Sequence, residues 1–346
     1  MIRSGNPPPG ATLWWEWTLT DDAGNTYTTP RQDLTFEDDR FQWQTVSGED
    51  ITLHWYAGED VGPMLLDAAA DGLQLLEADL GIDLQEEVEF YIYGSPEDMR
   101  DAVLYIQDWA GGVAFSEYNT ILMGVPPAIA ADWGRDTVRH ELTHLVLGQY
   151  GRSCVGGSRP SWLEEGLAMY AEGEPSEEMK ENLDDALSNN RFIPLRILNC
   201  AFQAHGEAAG LAYNQSFSVI QFLSDEYDPD LISDLILVLA SGESYDDALE
   251  KVYGFNVDSL EQEWRNWIGA PMRPLPPTST PFSAAAVPTM PPLAAPADLP
   301  TPESFPENPE PQAAEQATRG ICAFGLIPLF MLGAFSWQSR NSQVGG

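Results

Sequence analysis

The sequence predicts an α+β fold, and a change of hydrophobic period along the chain is the main reason. Up to about residue 56, segments such as ATLWWEWTLT, FQWQTV and ITLHWY alternate apolar and polar positions and are rich in aromatic and β-branched residues. Beyond about residue 175, segments such as LAYNQSFSVIQFLSDEY, LISDLILVLASG and VDSLEQEWRNWIG repeat their apolar positions at helical spacing. Strands gathered early and helices gathered late make an α+β arrangement. The third observation is length: 346 residues is more than twice a typical domain of about 150, so more than one unit is expected.

Taken in order, residues 1–50 read as a partial β-sandwich of immunoglobulin-like type, with a DDAGN turn between strands. A full sandwich needs about 100 residues, so either this one is truncated at its start, the preferred reading, which also fits the lack of an apolar signal core in MIRSGNPPPG, or its strands lean on the next domain. Residues 51–270 form the main domain. Its first part holds a helix in MLLDAAADGLQLLEADLG, a strand in VEFYIYG and a helix in PEDMRDAVLYIQDWA, opened by Pro and acids. A strand in AFSEYNTILMGVPP follows, then the helix DTVRHELTHLVLGQYG closed by Gly151, then the helix PSWLEEGLAMYAEG entered from Pro160. Residues 271–319 are a Pro-rich linker, since 14 of the 27 prolines fall between 271 and 311 and favour an extended spacer over a packed core. Residues 320–338 are expected to cross a membrane as one helix, with an uncharged core from Ile321 to Trp337 at the short end of the range, leaving 339–346 as a tail. The acidic stalk and large folded region place the N-terminal part outside, which makes the chain a single-pass cell-membrane protein with an extracellular body.

Charge excludes one class of partner. With 54 Asp and Glu against 16 Lys and Arg, the net charge of −38 repels phosphate backbones, so no nucleic acid is expected as a partner. A hydrophobic share of 43% still supplies real cores, so the acid belongs on a folded surface. The three cysteines lack the paired CxxC spacing of a cysteine zinc site; Cys154 and Cys200 could be bonded, or could be two buried thiols.

The sharpest chemical signal is His140-Glu141-Leu142-Thr143-His144. Two histidines four residues apart stand about 6 Å apart along one helix face, close enough to hold a single Zn²⁺, while Glu141 beside them can serve a metal-activated water. The competing reading is a pair of surface histidines on an amphipathic helix. Against it, two of only four histidines fall in this pattern, with Val138, Leu142, Leu145 and Leu147 supplying packing around them. A catalytic zinc needs a third protein ligand and an open position. Glu164 and Glu165, 20 residues or so downstream, are candidates that point to different sides of their helix, and periodicity does not choose between them. Glu172, seven residues beyond Glu165 and on the same face, could orient a ligand imidazole or be an ordinary exposed acid.

HELTH followed by PSWLEEGLAMYAEG resembles the gluzincin metallopeptidases, and more closely their bacterial peptidase-MA-like group. The resemblance covers residues 51 to 270 and is concentrated in those two helices. It implies a thermolysin-like catalytic domain, a small mixed sheet with the zinc helix followed by a helical lobe. It also implies His140, His144 and Glu165 as the zinc ligands and Glu141 as general base, leaving Glu164 as a solvated carboxylate or one behind the ligands. It further implies a donor to the developing oxyanion, for which Tyr213 is preferred and His205 is the alternative, and a substrate-binding edge strand at Gly112, Val113 and Ala114, where a plain hairpin is the competing reading. The expected function is zinc-dependent hydrolysis of a peptide or protein substrate. A surface-anchored binding or adhesion protein with an inactive gluzincin fold is the alternative.

Overall fold

The structure, a computed structural model, describes residues 7–103, 111–151, 159–200 and 207–274. Two regions meet in it. The first is a five-stranded sheet built from β5 (Gln44–Ser47), β6 (Ile51–Trp55), β7 (Val88–Tyr93), β8 (Gly112–Phe115) and β9 (Thr120–Gly124). Its spatial order is β5-β6-β7-β9-β8, with β6, β7 and β9 mutually parallel and the two edge strands antiparallel to their neighbours. The parallel step from β6 to β7 needs a crossover, and the 20-residue helix α1 (Val61–Leu80) supplies it before ending at Gly81, whose φ of 61° suits a left-handed cap.

Strand alternation sorts the two faces of this sheet. Val88, Phe90 and Ile92 of β7 enter the main core with Leu65, Leu76 and the helix α3 (Arg135–Gln149). Tyr91 and Tyr93, one residue out of step, point to the other face and meet Phe41, Trp43 and Tyr56. There Asp38 accepts from Tyr93 Oη at 2.8 Å and pairs with Arg40 at 2.6 Å, so the loop before β5 is fastened to the sheet by charge-assisted bonds.

The second region is helical: α4 (Ser161–Glu172), α5 (Glu177–Ser188), α6 (Glu207–Glu226), α7 (Asp230–Ala240), α8 (Tyr245–Tyr253) and α9 (Val257–Trp267). Its starts follow side-chain chemistry, with Ser176, Ser244 and Asn256 each accepting from a backbone N–H in the first turn. Trp162 and Trp264 are fully buried in the same continuous core as the α1 side of the sheet.

Three expectations change. Residues 1–50 do not form a separate sandwich: among the described residues β1 (Thr12–Trp15) pairs only with β4 (Gln32–Thr35), and β2 (Thr18–Thr20) only with β3 (Thr26–Thr28), as successive two-stranded stretches of a ribbon. The boundary at residue 50 also falls inside the β5–β6 hairpin, because β5 hydrogen-bonds into the main sheet. The helix begun at Pro96 is short, α2 (Pro96–Arg100), capped by Ser95 and followed by turns. The linker beyond residue 274, the expected membrane helix at 320–338, the tail, Cys154 and His205 lie outside the described residues. Among the described residues no helix is long and apolar enough to cross a membrane. Cys200 is exposed.

Candidate metal centre

Helix α3 is entered through a five-residue π-turn, Ala130–Gly134, and carries a fully buried apolar row of Val138, Leu142 and Leu145 that seats it on the core. That seating turns the adjacent face inward with His140 and His144, whose rings stand 4.9 Å apart at 71°. Helix α4 crosses against it. Glu165 Oε2 lies 3.6 Å from His140 Nε2 and 3.7 Å from His144 Nε2, and one donor atom from each of the three residues lies within 4.8 Å of the others.

The environment fits a cation. His140 is 1% and Glu165 2% exposed, and the buried His140 Nε2 and Glu165 Oε2 atoms make no hydrogen bond. Leaving buried polar atoms unpaired is costly, whereas two imidazole nitrogens and a carboxylate oxygen converging on one point form a suitable donor set for Zn²⁺. The other side of His140 is fixed as well. Its Nδ1 is 2.7 Å from Glu172 Oε1, so Nδ1–H can donate to that carboxylate, which leaves Nε2, facing Glu165, as the nitrogen available to a cation. Burial would depress the His140 imidazole, but the carboxylates of Glu165 and Glu172 reverse this and raise it.

Glu141, next to the histidine pair, is buried against the edge strand β8. A Cβ on Gly112 would stand 2.7 Å from Glu141 Cγ and 3.0 Å from its carboxylate oxygen, so only glycine lets the strand lie this close. Burial pushes the Glu141 carboxyl up to about 7, with His140 pulling it down and Glu165 raising it further. Val113 is buried and Ala114 half-buried on the same strand, whose outer edge has no strand partner among the described residues.

Tyr213 comes from α6. It is 5% exposed, and burial together with the charges of Glu165, Glu141 and Glu172 holds its hydroxyl protonated far above the ordinary range. Gly166 makes this arrangement possible: a Cβ there would come within 2.6 Å of the Ser216 carbonyl oxygen, so α4 and α6 approach backbone to backbone directly after Glu165. Glu164 is not solvated. It is 8% exposed and accepts from Arg159 Nε at 3.2 Å. Sequence reasoning did not single out Arg159 or the spatial roles of Gly112 and Gly166; a glycine interrupting an otherwise helical pattern was the available signal for Gly166.

The family model described as the peptidase MA superfamily matches residues 68–270, more than half of the chain and all of the elements just described from the middle of α1 to α9. The chain belongs to the peptidase MA superfamily. Among solved structures it is similar to yeast LTA4 hydrolase in complex with bestatin, at 15% identity and a TM-score of 0.39, covering 78% of this chain and 46% of that one. It is also similar to the M1 zinc metallopeptidase from Deinococcus radiodurans, at 16% identity and a TM-score of 0.38, covering 80% of this chain and 64% of that one. The chain thus spans less than two thirds of either protein. No curated protein sequence matches it.

Proposed function

We propose that this member of the superfamily is a zinc-dependent peptidase of the gluzincin type, with a thermolysin-like division into a sheet lobe and a helical lobe. The observation that supports this best is the convergence of His140, His144 and Glu165 within 4.8 Å, with Glu141 buried beside them. In this reading those three residues hold the ion. Bound there, zinc supplies a Lewis acid that polarises the scissile carbonyl and makes water easier to deprotonate. Glu141 takes the proton from the attacking water and hands it to the departing amine, a task suited to a carboxylate raised to about 7. Glu172 fixes the His140 tautomer. Tyr213, kept protonated by its surroundings, donates to the oxygen that gains negative charge as the carbonyl is attacked. Edge strand β8 holds an extended peptide by backbone pairing at Gly112, Val113 and Ala114.

An inactive binding module has no observation in its favour. Metal binding alone does not require Glu141, yet a glycine makes room for it. On sequence alone, residues 320–338 are proposed to anchor the protein in the cell membrane with this domain outside.

The test is cleavage of a broad peptide library by the full chain and by Glu141→Gln. Wild type should cut, stop when zinc is chelated, and show a kcat/KM that rises with pH as Glu141 gives up its proton. The acid limb should fall at or below about 7, because a neighbouring cation lowers a carboxyl pKa. Glu141→Gln should bind zinc and lose at least about 10³-fold in rate. Full activity in that variant would refute the assignment.

A further inference from the structure

Arg159 and Glu164 form a buried ion pair that the proposed chemistry does not use, and its placement beside the metal ligands calls for a reason. Arg159 is 4% exposed and uses its whole guanidinium fork: Nε donates to Glu164 Oε1 at 3.2 Å, Nη2 to the Leu147 carbonyl at 2.7 Å and Nη1 to the Gly151 carbonyl at 2.7 Å. The Leu147 carbonyl belongs to the last turn of α3, where carbonyls have no partner within the helix and carry the negative end of its dipole. Leu147 lies less than one turn beyond His144. Glu164 lies in the first turn of α4, directly before Glu165. One side chain therefore ties the end of the helix bearing two imidazoles to the start of the helix bearing the carboxylate.

We infer that Arg159, gripping Glu164, is a positioning residue that sets the separation of His144 and Glu165 and so the metal affinity of the site. The inference rests on the zinc reading above. Geometry at both ends supports it. The guanidinium is planar and presents donors in fixed directions, so the two carbonyls and the carboxylate are held in one relative orientation, which a single flexible ammonium does not reproduce. The pair also answers the question that helical periodicity left open: Glu164 is engaged by Arg159, and its neighbour Glu165 is turned to the imidazoles. Residues that hold metal ligands in place typically change affinity by 10- to 100-fold when altered.

The experiment measures zinc affinity by competition with a chromogenic chelator, the visible spectrum of the Co²⁺-substituted protein, and kcat and KM, for full-length wild type, Arg159→Lys, Arg159→Met and Glu164→Gln. Expected are losses in zinc affinity of about 10-fold for Arg159→Lys and Glu164→Gln and about 100-fold for Arg159→Met, an altered cobalt band, and a fall in kcat at saturating zinc larger than the change in KM. A purely structural clasp would lower the melting temperature while the folded protein kept wild-type zinc affinity and cobalt spectrum; that result overturns the inference. Should Arg159→Met fail to fold, Arg159→Lys and Glu164→Gln carry the same test. Wild type that binds no zinc would refute the underlying reading, whereas wild type that binds with variants that bind equally well refutes only the role of Arg159.

Discussion

The helix pair α3 and α4 and the ribbon β1 to β4 invert each other. In the helix pair, polar groups are buried: His140, Glu141, Glu164, Glu165 and Arg159 are all under 9% exposed. In the ribbon, apolar groups are exposed: Trp14, Trp17, Leu19, Tyr27 and Leu34 are all more than 50% exposed. Burying charge without partners is strongly unfavourable, so the helix pair persists only because Glu172, Arg159 and the mutual approach of imidazole and carboxylate answer it. Among the described residues the ribbon has two strands and no second layer of strands, and such a unit gains little stability of its own. Stability and chemistry therefore concentrate in the same place, where α4 is pressed between α3 and α6.

That contrast can be broken at several points. The largest effect belongs to the Glu141→Gln exchange described above, which removes turnover without removing packing. Next is Gly166→Ala. Its methyl group would meet the Ser216 carbonyl oxygen at 2.6 Å, so α4 must move away from α6 and from Tyr213. Unfolding monitored by denaturant should show a loss of about 3 kcal/mol, accompanied by weaker zinc binding. A neutral Gly166→Ala would mean that the two helices are not pressed together as described. The smallest effect is expected in the ribbon. Trp17→Thr removes a side chain that is 65% exposed and should change stability by no more than about 0.5 kcal/mol, with zinc affinity unchanged. A large loss there would show that the ribbon is part of the folding unit after all.

How much of this was legible in the sequence follows the range of the interactions. Helix α3, its inward His140 and His144 and the neighbouring Glu141 are set by spacing within one helix, and spacing is printed in the sequence. Helix α1 and helix α4 after Pro160 were readable for the same reason. The separation of Glu164 from Glu165 was not, because adjacent residues differ by about 100° and both are buried; what distinguishes them is Arg159 on one side and two imidazoles on the other. The membership of β5 in the main sheet was missed for a similar reason. QTVS has the alternation of any strand, and only its pairing with β6 assigns it to a sheet. The same holds for Gly112, whose neighbour Glu141 is distant in sequence and close in space.

The account depends most on one ion being held between α3 and α4. Its direct test is calorimetric titration of metal-stripped full-length protein with Zn²⁺, beside the His140→Ala and Glu165→Gln variants. One zinc per chain is expected for wild type, with the affinity lost in His140→Ala and reduced at least about 100-fold in Glu165→Gln. Absence of zinc binding by wild type, or binding that survives both substitutions unchanged, would contradict it.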